Sequence, residues 1–349
     1  MLALIYISII ATLLATVFVV ALRPLAIRLQ LVDKPDGRKI HEGDIPLLGG
    51  PVIWLVVMFG LFIFPASPPW SMIFAATMLV ILGMVDDRQP VPARLKLIFH
   101  LAAAAIIVLG ENITISDIGI FRETMLSSDY VGLHAVLAVL AIATAVNAFN
   151  FIDGIDGLSA SMALLALTHT NLAFNIIYGT TPPDYAFFAV LVSGALAGFL
   201  LFNLQVFNGR KIFLGDSGSM LVGLLIAVAL INASQPAVAN AATIPASLCL
   251  WLIAIPLTDM LTIIIRRLAR GRSPFAPDRT HLHHKIMESG LSPRRTLLVM
   301  ILSSVGAFWI GFGLTQEFGE VVSIIGFLAF VPLYYFATQR LGPIVDFIK

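Results

Sequence analysis

The polar residues able to do chemistry stand in five short motifs, and each motif borders an apolar segment of the chain. In chain order the motifs are residues 41–50, 86–88, 147–158, 213–219 and 279–285. They are rich in carboxylates, amides, glycines and histidines, the groups that hold cations, phosphates and sugars. The sequence therefore predicts a site for a charged substrate, assembled from separate parts of the chain.

Two motifs supply acids suited to a divalent cation. Asp86 and Asp87 follow an apolar run, and acids at a helix C-terminus oppose the helix dipole by roughly 0.3–1 kcal/mol each, so a cation or basic neighbours should compensate them. Two Asp-Gly steps begin at Asp153 and Asp156, where glycine favours turns with open backbone N–H groups. The alternatives are a solvated helix end for the first motif and purely structural turns for the second.

The motif around Asp216 opens a later apolar run as Gly215-Asp216-Ser217-Gly218-Ser219. The positive end of a helix dipole there favours an anion. An Asp-Ser pair is also an ordinary N-cap, which is the structural alternative. The motif lacks the Gly-Lys-Ser of a nucleotide-hydrolysing P-loop, so that class of site is not supported.

Three of the seven histidines, His281, His283 and His284, fall within four residues of a basic segment. Such a cluster forms either a zinc site or a cationic, hydrogen-bonding surface for phosphate and sugar. The single cysteine, Cys249, lies far away in the sequence, and oxygen ligands dominate the other motifs. These features favour the second interpretation.

Three further polar residues stand in less specific surroundings. His41 belongs to the first motif, which also resembles an ordinary Pro-Gly entry to a helix. Asp259 lies inside an apolar run, where a charge costs roughly 2.5–3.5 kcal/mol at the centre of a span, so we expect it to face the bundle interior. Asn203 ends an apolar run, and a helix-end hydrogen bond is its structural alternative.

The composition excludes a soluble protein. Of 349 residues, 59% are hydrophobic and 12% are charged, with a mean hydropathy of +0.96, whereas soluble domains carry about 25% charged residues. The net charge of +1 gives no basic field that would attract nucleic acid, and Cys249 has no partner for an intramolecular disulfide. The chain is predicted to be an all-α, polytopic integral membrane helix bundle.

Reading for apolar runs of about 17–25 residues gives eleven predicted transmembrane helices. They are residues 2–22, 47–65, 70–85, 94–110, 131–149, 158–178, 185–204, 217–233, 242–264, 295–314 and 320–338. The whole chain, 1–349, is predicted to be one domain. Its inner loops are residues 23–46, 86–94, 149–157, 205–217 and 265–294.

The positive-inside rule sets the orientation. With the N-terminus outside and the C-terminus cytosolic, twenty of the 21 lysines and arginines lie on the inner side, and Arg122 alone lies outside. This orientation places all five motifs on the same cytosolic face. A substrate with one end in the lipid and a charged head in the water would meet them there, which favours phosphoryl transfer between a sugar nucleotide and a lipid phosphate.

The ordered motifs resemble those of the polyprenyl-phosphate N-acetylhexosamine-1-phosphate transferases. The resemblance rests on Pro46-Leu47-Leu48-Gly49-Gly50, Asp86-Asp87 and residues 147–157, 213–219 and 279–284, and it extends to residues 32–35 and 273–279. It implies a multi-pass protein of the bacterial inner membrane that joins UDP-GlcNAc to undecaprenyl phosphate and releases UMP. It also implies Mg²⁺, or Mn²⁺, as cofactor, and a place at the first lipid-linked step of envelope glycan synthesis.

The resemblance also implies roles for individual residues. Catalysis falls to Asp86, Asp87 and Asp216, and the metal ion to Asp216, Asn150 and Asp87. The uridine and diphosphate are assigned to Asn150, Asp153, Gly154, Asp156, Asn203 and Phe213. The lipid phosphate is assigned to Lys96, with Arg94 as a near substitute, and the sugar and its phosphate to Arg279, His281, His283 and His284. His41 and Asp259 are additional candidates.

Several alternatives stay open on the sequence alone. The donor could be another UDP-N-acetylhexosamine or UDP-MurNAc-pentapeptide, although His281-Leu282-His283-His284 departs from the Pro-x-His-His-His of the enzymes that use the latter. A secondary transporter is the alternative from another class, but transporter sites favour broken helices in repeated halves, and no repeat is evident. Direct attack by the lipid phosphate is favoured over an enzyme-bound phosphosugar. The sequence does not decide whether the chain forms a homodimer.

Overall fold

A computed structural model describes residues 2–34, 43–63, 69–119, 131–206, 209–235, 242–274 and 281–339. These residues form twelve helices and one small two-stranded sheet. The helices are α1 (Leu2–Arg28), α2 (Gly49–Ile63), α3 (Trp70–Arg88), α4 (Ala93–Glu111), α5 (Val131–Ile152), α6 (Leu158–Tyr178), α7 (Pro183–Asn203), α8 (Gly215–Ser234), α9 (Ala246–Leu252), α10 (Ala254–Ala269), α11 (Leu282–Glu288) and α12 (Pro293–Gln339). The strands are β1 (Val32–Asp33) and β2 (Ile45–Pro46).

Eight of these helices are long and apolar enough to cross a membrane, and the bent pair α9 and α10 makes a ninth such segment. Each of the eleven predicted runs contains a helix. The prediction of a polytopic all-α membrane protein is therefore confirmed. Which side each end faces stays a prediction.

One predicted span differs in detail from the structure. The run 242–264 is not one straight helix, because it bends by 77° between α9 and α10. Pro256 explains the break, since proline has no N–H to donate to the carbonyl four residues earlier, at Leu252, where α9 ends. The last two predicted runs lie in one continuous 47-residue element, α12, but its backbone is non-helical at Gly319, between the two runs, which agrees with the prediction of two spans. A straight helix of that length would measure about 70 Å against a hydrocarbon core of about 30 Å.

Helix α8 is the centre of the bundle. In its most apolar stretch 94% of the residues are buried, against 17% for α1. It packs against α2, α3, α5 and α6. The residues at its first turn are therefore held from several sides at once.

Glycines let neighbouring helices approach α8 closely. A Cβ added at Gly83 of α3 would lie 2.2 Å from the Ser217 Cα, and one at Gly50 of α2 would lie 2.5 Å from the Ser217 Oγ. Further along, a Cβ on Gly223 of α8 would lie 2.6 Å from the Val146 Cα of α5. Small residues at such crossings are a common packing device in membrane proteins.

The small sheet joins distant loops at the same end of the bundle. Strands β1 and β2 pair antiparallel, with Val32 opposite Pro46. Phe213 adds a parallel bridge to Leu47, and its N–H donates to the Pro46 carbonyl at 2.9 Å. The segments before α2 and before α8 are thereby tied together.

Candidate active site

A cavity of about 710 Å³ lies at one end of the bundle, where α3 and α7 end and α6 and α8 begin. Eight predicted site residues line it: Asp86, Asp87, Asp153, Gly154, Asp156, Asn203, Phe213 and Asp216. Their positions in the sequence span 131 residues, so the fold brings together side chains that the sequence keeps apart.

Asp216 lies in the first turn of α8 and contacts Asn150 in the last turn of α5. The Asn150 Nδ2 donates to Asp216 Oδ1 at 2.6 Å and to Ser219 Oγ at 2.9 Å. The predicted loop 149–157 is thus partly helical, since α5 continues to Ile152. These two acceptors identify which side-chain atom of Asn150 is the nitrogen. The Asn150 carbonyl oxygen therefore points away from these two acceptors and lies close to the Asp216 carboxylate.

Asp87 supplies the helix cap that α8 does not make for itself. The preceding residue, Leu214, makes no side-chain capping bond. Asp87 Oδ1 accepts the Asp216 N–H at 2.7 Å, and Asp87 Oδ2 accepts the Ser217 hydroxyl at 3.1 Å. The N-cap alternative for Asp216 is therefore wrong, because an acid from α3 fills that role and Asp216 lies inside the helix. Its carboxylate is left for the cavity.

Asp86 is buried and links a lysine to Asp216. Its Oδ2 accepts from Lys96 Nζ at 2.6 Å, and its Oδ1 accepts the Val91 N–H at 2.7 Å. The Asp86 and Asp216 carboxyl groups interact directly. Arg94, the other basic candidate for the lipid phosphate, is exposed and does not line the cavity.

The two Asp-Gly steps also line the cavity. Asp156 Oδ2 pairs with Lys211 Nζ at 2.6 Å, and the same Nζ lies 4.9 Å from the centre of the Phe213 ring. Asp153 is half-buried, and the pKa of its carboxyl is raised well above the usual range by burial and by the nearby charges of Asp216, Asp87 and Asp156. This part of the cavity therefore offers an aromatic face, a cation and acidic acceptors.

Asn203 has an unused acceptor. Its side chain is almost fully buried at the end of α7, and Nδ2 donates to the Ile212 carbonyl at 2.9 Å. Its Oδ1 is buried without a hydrogen-bond partner among the described residues. The helix-end hydrogen bond is thus real, and it uses only one side of the amide. A ligand that donates a hydrogen bond would satisfy the other.

The histidine cluster adjoins the cavity through Gly154. A Cβ added there would lie 2.0 Å from His283 Nε2, so only glycine lets the imidazole pack against this wall. His283 is buried, and both of its ring nitrogens lack partners within the described ranges. Burial, with the adjacent His284 and His281, lowers the pKa of His283 to about 3. The ring centres of His283 and His284 are 4.3 Å apart, and those of His281 and His283 are 5.4 Å apart.

Two predicted residues, His41 and Arg279, lie outside the described ranges. Lys211 and Asp33 also line the cavity, although neither belongs to the five motifs. Lys211 follows Arg210 in a loop without a recognisable motif, so the sequence gives no sign of its role. Its contacts with Asp156 and Phe213, seen only in the structure, place it in the site. Asp33 belongs to the 32–35 segment on which part of the resemblance rests.

The side chains around Asp216 have the donor chemistry of a magnesium site. Within the described part of the chain, no set of three acidic, histidine or cysteine side chains could hold a metal ion by itself. Mg²⁺ is usually held by one or two carboxylates and completes its coordination with water and substrate phosphates. Asp86, Asp216 and the Asn150 carbonyl oxygen match that incomplete, all-oxygen set. The resemblance assigns Asp87 rather than Asp86 to the metal ion, and that assignment stays a prediction, since both Asp87 oxygens accept hydrogen bonds from the first turn of α8.

Comparisons with known proteins agree with the geometry. The sequence profile of glycosyl transferase family 4 matches residues 69–234. The undecaprenyl-phosphate alpha-N-acetylglucosaminyl 1-phosphate transferase of Salmonella typhi is 32% identical over 342 residues, covering 96% of this chain and 90% of the relative. The Escherichia coli (strain K12) enzyme of that name is 31% identical over the same shares. The one from Pasteurella multocida (strain Pm70) is 34% identical, covering 94% and 91%.

Proposed function

Since the chain belongs to glycosyl transferase family 4, together with undecaprenyl-phosphate alpha-N-acetylglucosaminyl 1-phosphate transferases, we propose that the Asp216 cavity is its active site. The protein is a transferase that moves N-acetylglucosamine 1-phosphate to undecaprenyl phosphate. We propose UDP-GlcNAc as the donor and UMP as the by-product. We also propose the cytosolic face of the bacterial inner membrane as the place of reaction.

One observation carries the assignment of the cavity. The Asp216 carboxylate lies in the first turn of the central helix beside Asn150 and Asp86, Lys211 lines the cavity, and Lys96 pairs with Asp86 of its lining. A diphosphate bound there would have its phosphates at the acidic centre, where a cation is required. Asp86, Asp216 and Asn150 would hold that cation, Mg²⁺ or Mn²⁺. When bound, it neutralises the diphosphate and stabilises charge on the leaving phosphate.

The donor would lie along the wall that includes Phe213. The ring offers a face for a flat base, and Asn203 Oδ1 offers an acceptor to a base or ribose donor. Gly154 and Asp156 would border the ribose and diphosphate, with Asp153 beside them. The imidazoles of His281, His283 and His284, together with Arg279, would contact the sugar and its phosphate.

The acceptor phosphate would enter from the Lys96 side. Lys96 would orient it, and Asp86, which already contacts Lys96, would accept a proton from it. An oxygen of the lipid phosphate attacks the β-phosphorus of the donor, and the bond from that phosphorus to the bridging oxygen breaks, so the electron pair leaves with UMP. Asp87 would act by fixing the turn that presents Asp216. The reaction exchanges one phosphoanhydride for another, so product removal must drive it.

The test is product formation by the purified full chain in detergent with radiolabelled UDP-GlcNAc, undecaprenyl phosphate and Mg²⁺. Wild type should form lipid-linked GlcNAc diphosphate and release UMP only when both the lipid phosphate and the divalent cation are present. Asp216→Ala should lower kcat on the order of 100- to 1000-fold, the usual effect of removing a group that stabilises transition-state charge.

Asp184→Ala is the matched control, because Asp184 is an exposed acid at the opposite end of the bundle. It should retain full activity. Equal product from wild type and Asp216→Ala would remove Asp216 from the reaction. Movement of substrate into sealed vesicles without UMP release would instead indicate a transporter.

A further inference from the structure

Asp259 is a buried acid in α10 that contacts the start of the histidine cluster. Its surface is 2% exposed. Oδ2 lies 2.8 Å from His281 Nδ1, and Oδ1 accepts the Leu282 N–H at 2.9 Å and the Tyr334 hydroxyl at 3.1 Å. A carboxylate buried near the membrane interior is costly unless it is paired and hydrogen-bonded. The proposed reaction so far gives Asp259 no role.

The three contacts determine where the His281 proton lies. An imidazole is a stronger base than a carboxylate, so the proton shared by Asp259 and His281 belongs on Nδ1. The Leu282 N–H is a fixed backbone donor that keeps Oδ1 occupied, which leaves Oδ2 to the imidazole. Because Nδ1 is engaged, Nε2 is the ring nitrogen that a substrate would meet.

His281 is connected to the cavity by direct packing. Its ring lies between Phe151, at a centre distance of 5.9 Å, and His283, at 5.4 Å. His283 in turn packs against Gly154, which lines the cavity. A rotation of the His281 ring would therefore disturb the imidazole that forms part of the cavity edge.

We propose that Asp259 is a positioning residue that keeps the His281 proton on Nδ1 and fixes the ring, so that Nε2 is presented to the phosphosugar of the donor. The arrangement is that of a carboxylate orienting a functional imidazole, as in metal sites and hydrolase triads. The presentation of Nε2 to the phosphosugar rests on the proposed function, whereas the position of the proton on Nδ1 does not depend on it.

Asp259→Asn tests the idea with almost no change in shape. The amide oxygen must face the Leu282 N–H, so the amide NH₂ faces His281 Nδ1. That nitrogen then has to give up its proton, and the tautomer is reversed. Nitrogen-15 spectra of histidine-labelled protein report this directly. The His281 signal is identified as the one missing from His281→Gln.

We expect Nδ1 to be protonated in wild type and bare in Asp259→Asn. A wild-type proton on Nε2 alone, or an unchanged signal in the variant, would overturn the proposal whatever the enzyme does. If wild type forms no product but shows the expected signal, the proposed function fails and the positioning role of Asp259 survives.

Kinetics give a second, independent readout. Asp259→Asn should lower kcat by roughly 10- to 100-fold, the range found when a carboxylate that orients an imidazole is changed. The KM for undecaprenyl phosphate should not change, because Lys96, to which the lipid phosphate is assigned, pairs with Asp86 rather than with Asp259 or His281. In the His281→Gln background, Asp259→Asn should cause little further loss.

Tyr334→Phe is the matched control, since it removes one hydrogen bond to Asp259 and leaves the His281 contact. It should lower thermal stability, since the lost hydrogen bond is to a charged carboxylate, and keep kcat within about threefold of wild type, because the contact between Asp259 and His281 remains. Asp259 has a structural role only if Asp259→Asn and Tyr334→Phe both lose activity in proportion to their loss of stability. The same conclusion follows if the activity losses of Asp259→Asn and His281→Gln multiply in the variant that carries both changes.

Discussion

Six aspartates line one cavity: Asp33, Asp86, Asp87, Asp153, Asp156 and Asp216. Negative charges held this close together repel one another, which is one reason why the pKa of Asp153 is raised, and they also repel an incoming diphosphate. Lys96 pairs with Asp86 and Lys211 with Asp156, each at 2.6 Å. These pairs neutralise the edges of the cavity and leave its centre acidic. Donor binding should therefore require a divalent cation, since the acidic side chains and the donor phosphates repel one another unless a cation lies between them.

The resemblance assigns the lipid phosphate to Lys96, with Arg94 as a near substitute, and the structure leads us to expect different effects from changing each residue. Lys96 contacts Asp86, which lines the cavity, whereas Arg94 is exposed and precedes Lys96 by two residues in α4. Lys96→Gln should raise the KM for undecaprenyl phosphate by about 10-fold or more, the cost of losing a charged hydrogen bond. The KM for UDP-GlcNAc should change little. Initial rates at varied lipid concentration measure both values.

Arg94→Gln is the control and should leave both KM values close to wild type. A large rise in the lipid KM from Arg94→Gln, with none from Lys96→Gln, would transfer the acceptor role to Arg94. A rise in the donor KM from Lys96→Gln would instead place Lys96 at the donor diphosphate.

At the scale of elements, the sequence predicts the helices well because each buried or lipid-facing segment must be apolar for its whole length. The sequence does not predict the bend at Ile253. Apolar runs are recognised from the average hydropathy of about 20 residues, and one proline, Pro256, hardly changes that average. The sequence also leaves undecided whether Asp216 caps its own helix. The answer depends on Asp87, which is 129 residues away and reaches α8 only in the folded chain.

Gly83 of α3 should be irreplaceable, because α3 crosses α8 too closely there for a larger side chain. Gly83→Ala would place a Cβ 2.2 Å from the Ser217 Cα, a backbone atom that cannot move aside without shifting the turn that carries Asp216. We expect a loss of activity of roughly 10-fold or more together with lower thermal stability, since overpacking costs about 1–3 kcal/mol. Product formation and a detergent melting curve measure the two effects.

Gly306→Ala is the matched control in α12, where an added Cβ would meet no atom within 4 Å. Alanine favours the helix, so this variant should be as stable as wild type or more stable, with unchanged activity. Normal activity of Gly83→Ala would show that α3 does not position the first turn of α8.

At the scale of the whole molecule, chain direction explains why the site residues meet. Asp86, Asn150 and Asn203 lie where α3, α5 and α7 end, while Lys96 and Asp216 lie where α4 and α8 begin. Successive crossings alternate in direction, so all these ends can share one face. The count of lysines and arginines predicts that this face is cytosolic, and most of the residues counted lie outside the site.

Cysteine labelling tests this orientation, because Cys249 is the chain's single cysteine and can first be changed to alanine. Asp184 begins α7 and Arg210 precedes α8, so these two exposed residues lie at opposite ends of the bundle. In intact cells with a permeable outer membrane, a maleimide that cannot cross the inner membrane should label Asp184→Cys at once. It should label Arg210→Cys only after the inner membrane is opened. The reverse pattern would put the cavity on the outer face, where cytosolic UDP-sugars cannot reach it.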